Sequence, residues 1–508
     1  MNQNNQFSGR VNKIAIVGGG TAGWMTAAVF AKILGKKNYH IQLIESEEIG
    51  TIGVGEAAIP SILALNKLLG IDEVEFMRKT QATFKVGIEF VNWGRVGDSY
   101  MHSFGAYGVN MGLLHFYNYW LKLYKQGKSS DIGEFSITAQ AALHNKFIHP
   151  VSTSNTPLSQ IKYAYHFDAG LYARHLRAYA ESMGVSRIES KIIKVNLNND
   201  DGFIKSLVLQ NESIIEADLY IDCSGFKGIL IEESLKTGYE DWSHLLLCDS
   251  AIAVQSKNVS DPPPYTRATA HTAGWQWRIP LQKRTGNGHV YASRFMDDDT
   301  ARRILIENID GDLITEPRLI RFKTGMRRKF WNKNCVAIGL SSGFIEPLES
   351  TSIHLIQKSI ATLFECFPTA GFNQVDIDKY NDKLQSDLML IRDFVLLHYK
   401  ATSREDSEFW RHCKNMVVNQ TLQNKIALFE ESGKIFRDNN ELFTEESWIA
   451  VMAGQGLSAK DYNPLVDSLD DVDLERMAKD IKSAISNSVS VMPTHKEFIA
   501  NYCPQMES

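Results

Sequence analysis

The chain has 508 residues, 44% hydrophobic and 22% charged, with a net charge of -5, which is ordinary globular composition and a length for two or three domain-sized units. The weakly acidic balance without a basic block argues against a nucleic-acid partner, and no apolar run reaches the 18 residues expected of a membrane span. The six cysteines are far apart and form no Cys-x-x-Cys, which argues against a zinc site or disulfide scaffold and predicts a reducing, cytoplasmic setting; the polar stretch Met1 to Gln6 lacks the apolar core of a signal peptide.

Lys13 to Val17 reads as a short buried strand, followed by the glycine-rich run Gly18-Gly19-Gly20-Thr21-Ala22-Gly23 and an alanine-rich helix to about Leu34. Tyr39 to Glu45 predicts the second strand of a βαβ unit, with the acidic Glu45 22 positions after Gly23. In that context G-x-G-x-x-G is a dinucleotide fingerprint: Gly18 allows the tight turn, Gly20 lets backbone approach a pyrophosphate, and Gly23 lets helix and strand pack closely. Thr21 and Ala22 open the helix, whose N-terminus favours phosphate, and Glu45 is expected to accept from a ribose hydroxyl. Next, Gly53-Val54-Gly55-Glu56-Ala57 suggests backbone laid against something flat. Pro60-Ser61 predicts a helix through about Leu69, with Gly70 as its stop.

Gln81 to Trp93 carries Lys85 inside an apolar run, where a lysine is expensive to bury without a purpose or partner; a snorkelling or outward-pointing lysine is the alternative. Residues 96–160 read as loop-rich and aromatic, with His102, Phe104, Phe116, Tyr119 and Trp120 among the rings available to line a cavity or fill a core. An amphipathic helix is expected over about 170–183, strands around 188–197, 203–209 and 213–217, and a buried strand over 218–223. In Gly274-Trp275-Gln276-Trp277-Arg278-Ile279-Pro280, period-2 spacing puts both indoles on one strand face. Asn287-Gly288 reads as a hairpin turn. Cys335 to Gly339 is another buried strand. Glu346 and Glu349 then flank Pro347, which breaks periodicity, so the two carboxylates need not share a face. Glu349-Ser350-Thr351 starts a helix with N–H groups free to bind an anion. Residues 353–367 and most of the chain from about Asp376 read as helical, the latter more polar.

The dinucleotide loop, Trp275-x-Trp277-x-Ile279-Pro280, the Phe84-Lys85-x-x-Ile88-x-Phe90-x-x-Trp93 run and Glu346-Pro347-Leu348-Glu349-Ser350-Thr351, in this order, resemble the flavin-dependent halogenases of the tryptophan-halogenase family. His102-Ser103-Phe104-Gly105 and Ser403 to Trp410 extend the likeness over most of the chain. The resemblance implies an α/β fold: a two-dinucleotide-domain, flavin-monooxygenase-like FAD module over 1–370, with the aromatic stretch 96–160 on its substrate side, and a mostly helical substrate module over 371–508. It implies FAD, supplied reduced by a separate NAD(P)H-dependent reductase, since no second G-x-G-x-x-G is present. It implies hypohalous acid made from O2 and halide, and a small aromatic substrate. Lys85 and Glu349 correspond to the catalytic pair. Gly18, Gly20, Thr21, Ala22, Gly23, Glu45, Gly53, Val54, Gly55, Glu56, Ala57 and Gly339 correspond to cofactor contacts, and Thr351 and Ser352 to the halide site, with no lysine or arginine evident beside them. His102, Phe104, Trp275, Trp277, Ile279, Pro280 and Ser350 correspond to the wall between flavin and substrate. Residues 411–445 lack the family's aromatic clamp for tryptophan, holding only Phe429, Phe436 and Phe443, and Ser352 replaces a glycine. Both departures point to the branch acting on free indole and related arenes. Bromide is expected over chloride because it is less tightly hydrated and costs less to desolvate at a backbone anion site, with crowding by Ser352 acting the other way. The rivals are a flavin-dependent aromatic hydroxylase and a flavin-binding protein without turnover.

Overall fold

The computed structural model describes residues 9–49, 55–152, 156–437 and 441–504. Lys13–Val17 lies inside a six-stranded sheet in the order Trp331–Asn332, Cys335–Ala337, Leu219–Asp222, Lys13–Val17, His40–Glu45, Ser186–Glu189. All its pairings are parallel except the edge pair Trp331–Asn332 with Cys335–Ala337. Strands covered on both faces need continuous apolar runs, and Ile14, Ala15, Ile16 and Val17 are all buried. The helix Thr21–Leu34 follows the first strand. The turns after three parallel strands open at the sheet's carboxyl edge, where Gly18, Gly225 and Gly339 take φ of +113°, +75° and +81°, left-handed values that favour glycine. Ligands of open α/β sheets bind at that edge.

A seven-stranded sheet forms the second layer, in the order Arg318–Arg321, Ser250–Ser256, Thr285–Tyr291, Gly274–Pro280, Thr266–His271, Gly87–Val91, Ser99–Ser103. Trp275 and Trp277 face Val290 and Gly288 across the ladder, and their rings are 6.2 Å apart. Asn287-Gly288 is therefore no turn. It sits in mid-strand, and the turn falls between Pro280 and Thr285. Gly288 is there for space: any Cβ would run into the Trp277 indole.

A small sheet links the two layers. Ala164–Asp168 pairs on one side with Gly55–Ala57 and on the other with Thr83–Lys85, the fully buried strand that ends in the lysine. The stretch 96–160 is more ordered than its composition suggested, with the strand Ser99–Ser103 and the helices Phe116–Lys125 and Ile137–Leu143. The helix Gln374–Lys400 begins polar, but every residue from Ile391 to Tyr399 is buried, so its second half belongs to the core. Helix Glu445–Gly454 packs on Ser99–Ser103. Gly454 meets the Tyr100 ring there, where a side chain would collide. No helix among the described residues is long and apolar enough to cross a membrane.

Candidate functional site

A cavity of about 920 Å³ opens at the carboxyl edge of the parallel sheet. Gly18, Gly20, Thr21, Ala22 and Glu45 line one end. Gly55, Glu56, Ala57 and Gly339 line its middle, and Trp275, Trp277, Ile279, Ser350 and Ser352 the far end. Gly23 is absent from the lining because it acts in packing: a Cβ there would strike the Gly18 carbonyl. Gly53 and Val54 lie outside the described residues. Pro280 ends the ladder opposite Thr285 rather than facing the cavity.

The dinucleotide end suits a phosphate-bearing cofactor. Gly20 at the helix N-cap brings no side-chain cap, and the first turn holds no acidic residue, so its N–H groups and dipole remain for an anion. Space beyond the Gly20 Cα is open. The Glu45 carboxylate accepts from Arg187 Nε at 2.5 Å and Trp24 Nε1 at 3.4 Å, which fixes it at the end of its strand. Glu56 is half-buried at the cavity wall, and desolvation, helped by the nearby Asp168, pushes its carboxyl up to about 7.

At the far end Ser350 forms a thin partition. It faces the cavity, yet its hydroxyl accepts from Lys85 Nζ at 2.9 Å. Ser350 adopts φ +58°, an unusual left-handed value for serine, set between the 3-10 turn Pro347–Glu349 and the helix Ser352–Glu365. Lys85 is 0% exposed. Its other acceptor is the Ala58 carbonyl at 3.1 Å, and the Phe104 ring lies 5.3 Å away. Burial drives its pKa from 10.5 down to about 7, against the pull of Glu349. A lysine there is an uncharged amine for much of the time near neutrality, able to act as a hydrogen-bond donor or a nucleophile. Lys85 thus bonds the residue that precedes Thr351, which places an ionisable amine near the expected anion site.

Glu349 is buried on the same side as Lys85. Burial alone would raise its carboxyl, but His102 Nδ1 at 3.0 Å and His398 Nε2 at 2.8 Å reverse this and hold it down at about 2. Glu346 diverges completely. Its Oε2 accepts from Trp275 Nε1 at 2.9 Å and Tyr399 OH at 2.7 Å, and desolvation raises it to about 7. The proline between the glutamates sends one to the lysine and the other to the tryptophan wall. Lys85, Glu349, His102, Phe104 and Ser350 therefore converge, whereas Thr351 is buried at the N-cap of the following helix. Sequence reasoning missed His398 and Tyr399. Their signal was a histidine at the end of the apolar run Phe394 to Leu397, the logic already applied to Lys85.

The profile of the tryptophan halogenases matches residues 13–471. The chain is 33% identical to tryptophan 7-halogenase RebH of Lentzea aerocolonigenes, over 97% of this chain and 99% of that protein. Among solved structures, Xcc4156, a flavin-dependent halogenase from Xanthomonas campestris, superposes with a TM-score of 0.94 at 46% identity, covering 98% of this chain and 100% of that one. BrvH, a flavin-dependent halogenase from Brevundimonas sp. BAL3, superposes with a TM-score of 0.94 at 44% identity, covering 97% and 100%.

Proposed function

We propose, from the premise that this chain belongs to the tryptophan-halogenase family and is a flavin-dependent halogenase of aromatic substrates, that it brominates free indole or a similarly electron-rich arene. Reduced FAD would be held by Gly18, Gly20, Thr21, Ala22 and Glu45 at one end of the cavity and by Gly55, Glu56, Ala57 and Gly339 along it. When bound, it supplies with O2 the oxidising power that turns halide into an electrophilic halogen. Thr351 and Ser352, at the start of a helix, would hold the halide through backbone N–H groups.

Lys85 holds the electrophile next to the arene, by hydrogen bond or as a haloamine. Glu349 takes the ring proton as halogen replaces hydrogen. General-base help of this kind contributes about 10²–10⁴-fold. Trp275 and Trp277 form a bulky wall against the flavin that bars the organic substrate. The observation that carries the reading is the placement of a buried lysine and a buried carboxylate directly behind Ser350, the partition of the cavity. A separate reductase delivers the reduced flavin.

One observation supports a free arene over L-tryptophan. Two of the three rings of residues 411–445 are occupied in packing, Phe443 stacked on Phe394 with centroids 3.8 Å apart and Phe429 buried, while Phe436 is exposed. A site without a clamp for the zwitterion still has to strip its water. The test is purified protein with FAD, a flavin reductase, NADH, bromide and either indole or L-tryptophan, read by mass spectrometry. Bromoindole forming with the higher kcat/KM is expected. A higher value for L-tryptophan rejects the substrate assignment, and oxygenated product without halide rejects halogenation in favour of hydroxylation.

A further inference from the structure

Glu349 is met by two imidazoles on the same oxygen, Oε1, and the second of them constrains where protons sit. His398 lies in the buried half of helix Gln374–Lys400 and is 0% exposed. Its Nδ1 is 2.9 Å from the Phe394 carbonyl oxygen. A carbonyl only accepts, so Nδ1 carries a hydrogen. In a neutral ring the other nitrogen, Nε2, would then present a bare lone pair to a carboxylate oxygen at 2.8 Å. The contact is short but not linear, and Nε2 has no aligned hydrogen-bond partner.

Two acceptors at that distance, buried and walled by the rings of Phe90, Trp93 and Phe394, repel one another in surroundings of low polarity. One additional proton removes the conflict, either on Nε2, as imidazolium against carboxylate, or on Oε1, donated to Nε2. His102 does not supply it, because its own Nδ1 faces the same oxygen. The other ionisable groups facing the pair are Lys85, from the strand Thr83–Lys85, and Tyr100, from the strand Ser99–Ser103.

We propose that His398 is a positioning residue that shares one proton with Glu349 and so keeps that carboxylate aimed and ready to receive a proton. This rests on the reading of Glu349 as the base. When the ring C–H bond breaks, its electron pair returns to the arene and its proton goes to the Glu349 oxygen that neither imidazole touches. The pair then holds two protons, and one leaves to solvent with product.

The test measures kcat and KM for indole bromination between about pH 6 and pH 9 for wild type, His398→Phe and His398→Gln, with FAD affinity and Tm as controls for folding. His398→Phe leaves Glu349 buried with one partner fewer. Its kcat should fall about tenfold or more at pH 7, and should fall further towards pH 6 than that of wild type does, with KM within about threefold of wild type. His398→Gln donates an amide N–H without titrating and should recover most of the lost kcat. A folded, FAD-binding His398→Phe with the wild-type pH profile overturns the proposal, and so does an equal loss in both variants at every pH. If no variant brominates indole, the pair is read directly in resting wild type by ¹⁵N-histidine NMR, with His398→Phe used for assignment. A proton on or shared with Nε2 near pH 7 supports the proposal whatever the substrate, and a bare Nε2 lone pair refutes it.

Discussion

Replacing Lys85 by methionine should cost the protein its chemistry and raise its stability. The ammonium is fully buried with only a carbonyl and a hydroxyl to receive its hydrogens. Desolvation pushes its pKa from 10.5 down to about 7, whereas the unfolded chain returns it to the ordinary value. At about 1.4 kcal/mol per pH unit, a depression of that size corresponds to an upper bound of roughly 5 kcal/mol withheld from folding when the amine is charged. Between about pH 7 and 10.5 the unfolded chain keeps a proton that the folded one has released, so stability rises with pH across that window, and the full cost is felt below pH 7. Methionine has similar length and no charge. It forfeits two hydrogen bonds of about 1 kcal/mol each, the attraction to Glu349 being already contained in the net depression. A net gain of about 1–3 kcal/mol at pH 6, reversing to a net loss of about 1 kcal/mol or more by pH 10, where only the lost hydrogen bonds remain, is expected. Thermal unfolding of wild type and Lys85→Met across that pH range measures it, alongside FAD binding and product by mass spectrometry. Wild-type-like halogenation by Lys85→Met, or a Tm below wild type at pH 6 with FAD binding intact, would refute the reasoning.

Glu349→Gln should bind FAD normally and lower kcat by roughly 10²-fold, the scale of a lost acid–base group; unchanged kcat would remove Glu349 from the chemistry. With a single dinucleotide loop in its sequence, the pure protein should oxidise NADH only when a reductase is added, which a spectrophotometric assay decides. At equal concentrations of both halides, brominated product should exceed chlorinated product, because bromide is less tightly hydrated and cheaper to desolvate at a backbone site; mainly chlorinated product would contradict this. Gly288→Ala should destabilise the fold by about 1–3 kcal/mol through overpacking against the Trp277 indole, measured by denaturant unfolding.

Short-range rules made much of this protein readable. The βαβ unit around Gly18 to Glu45 follows from an apolar strand, a glycine turn and an alanine-rich helix, all local in sequence. The shared face of Trp275 and Trp277 follows from period-2 alternation, and Lys85 stood out because a charge inside an apolar run conflicts with its surroundings. What local rules could not reach were partners distant in the chain. Asn287-Gly288 carries the sequence of a turn, yet a neighbouring strand's indole needs the space a glycine leaves. The two glutamates around Pro347 look equivalent as text. Only packing sends Glu346 to Trp275 and Tyr399 and Glu349 to His102 and His398, residues 71, 53 and 247 positions away for the hydrogen bonds and far along another helix for the last. Composition made the chain after Asp376 read only as helical and more polar, but the surface that buries the second half of its first helix comes from Phe90, Trp93 and Phe443, far away in the sequence. Backbone preference and amphipathic period act over a few residues and can be read along the chain. The burial that lowers the proton affinity of Lys85, and the two imidazoles that lower that of Glu349 against burial, are properties of the assembled core, because both depend on elements distant in the chain.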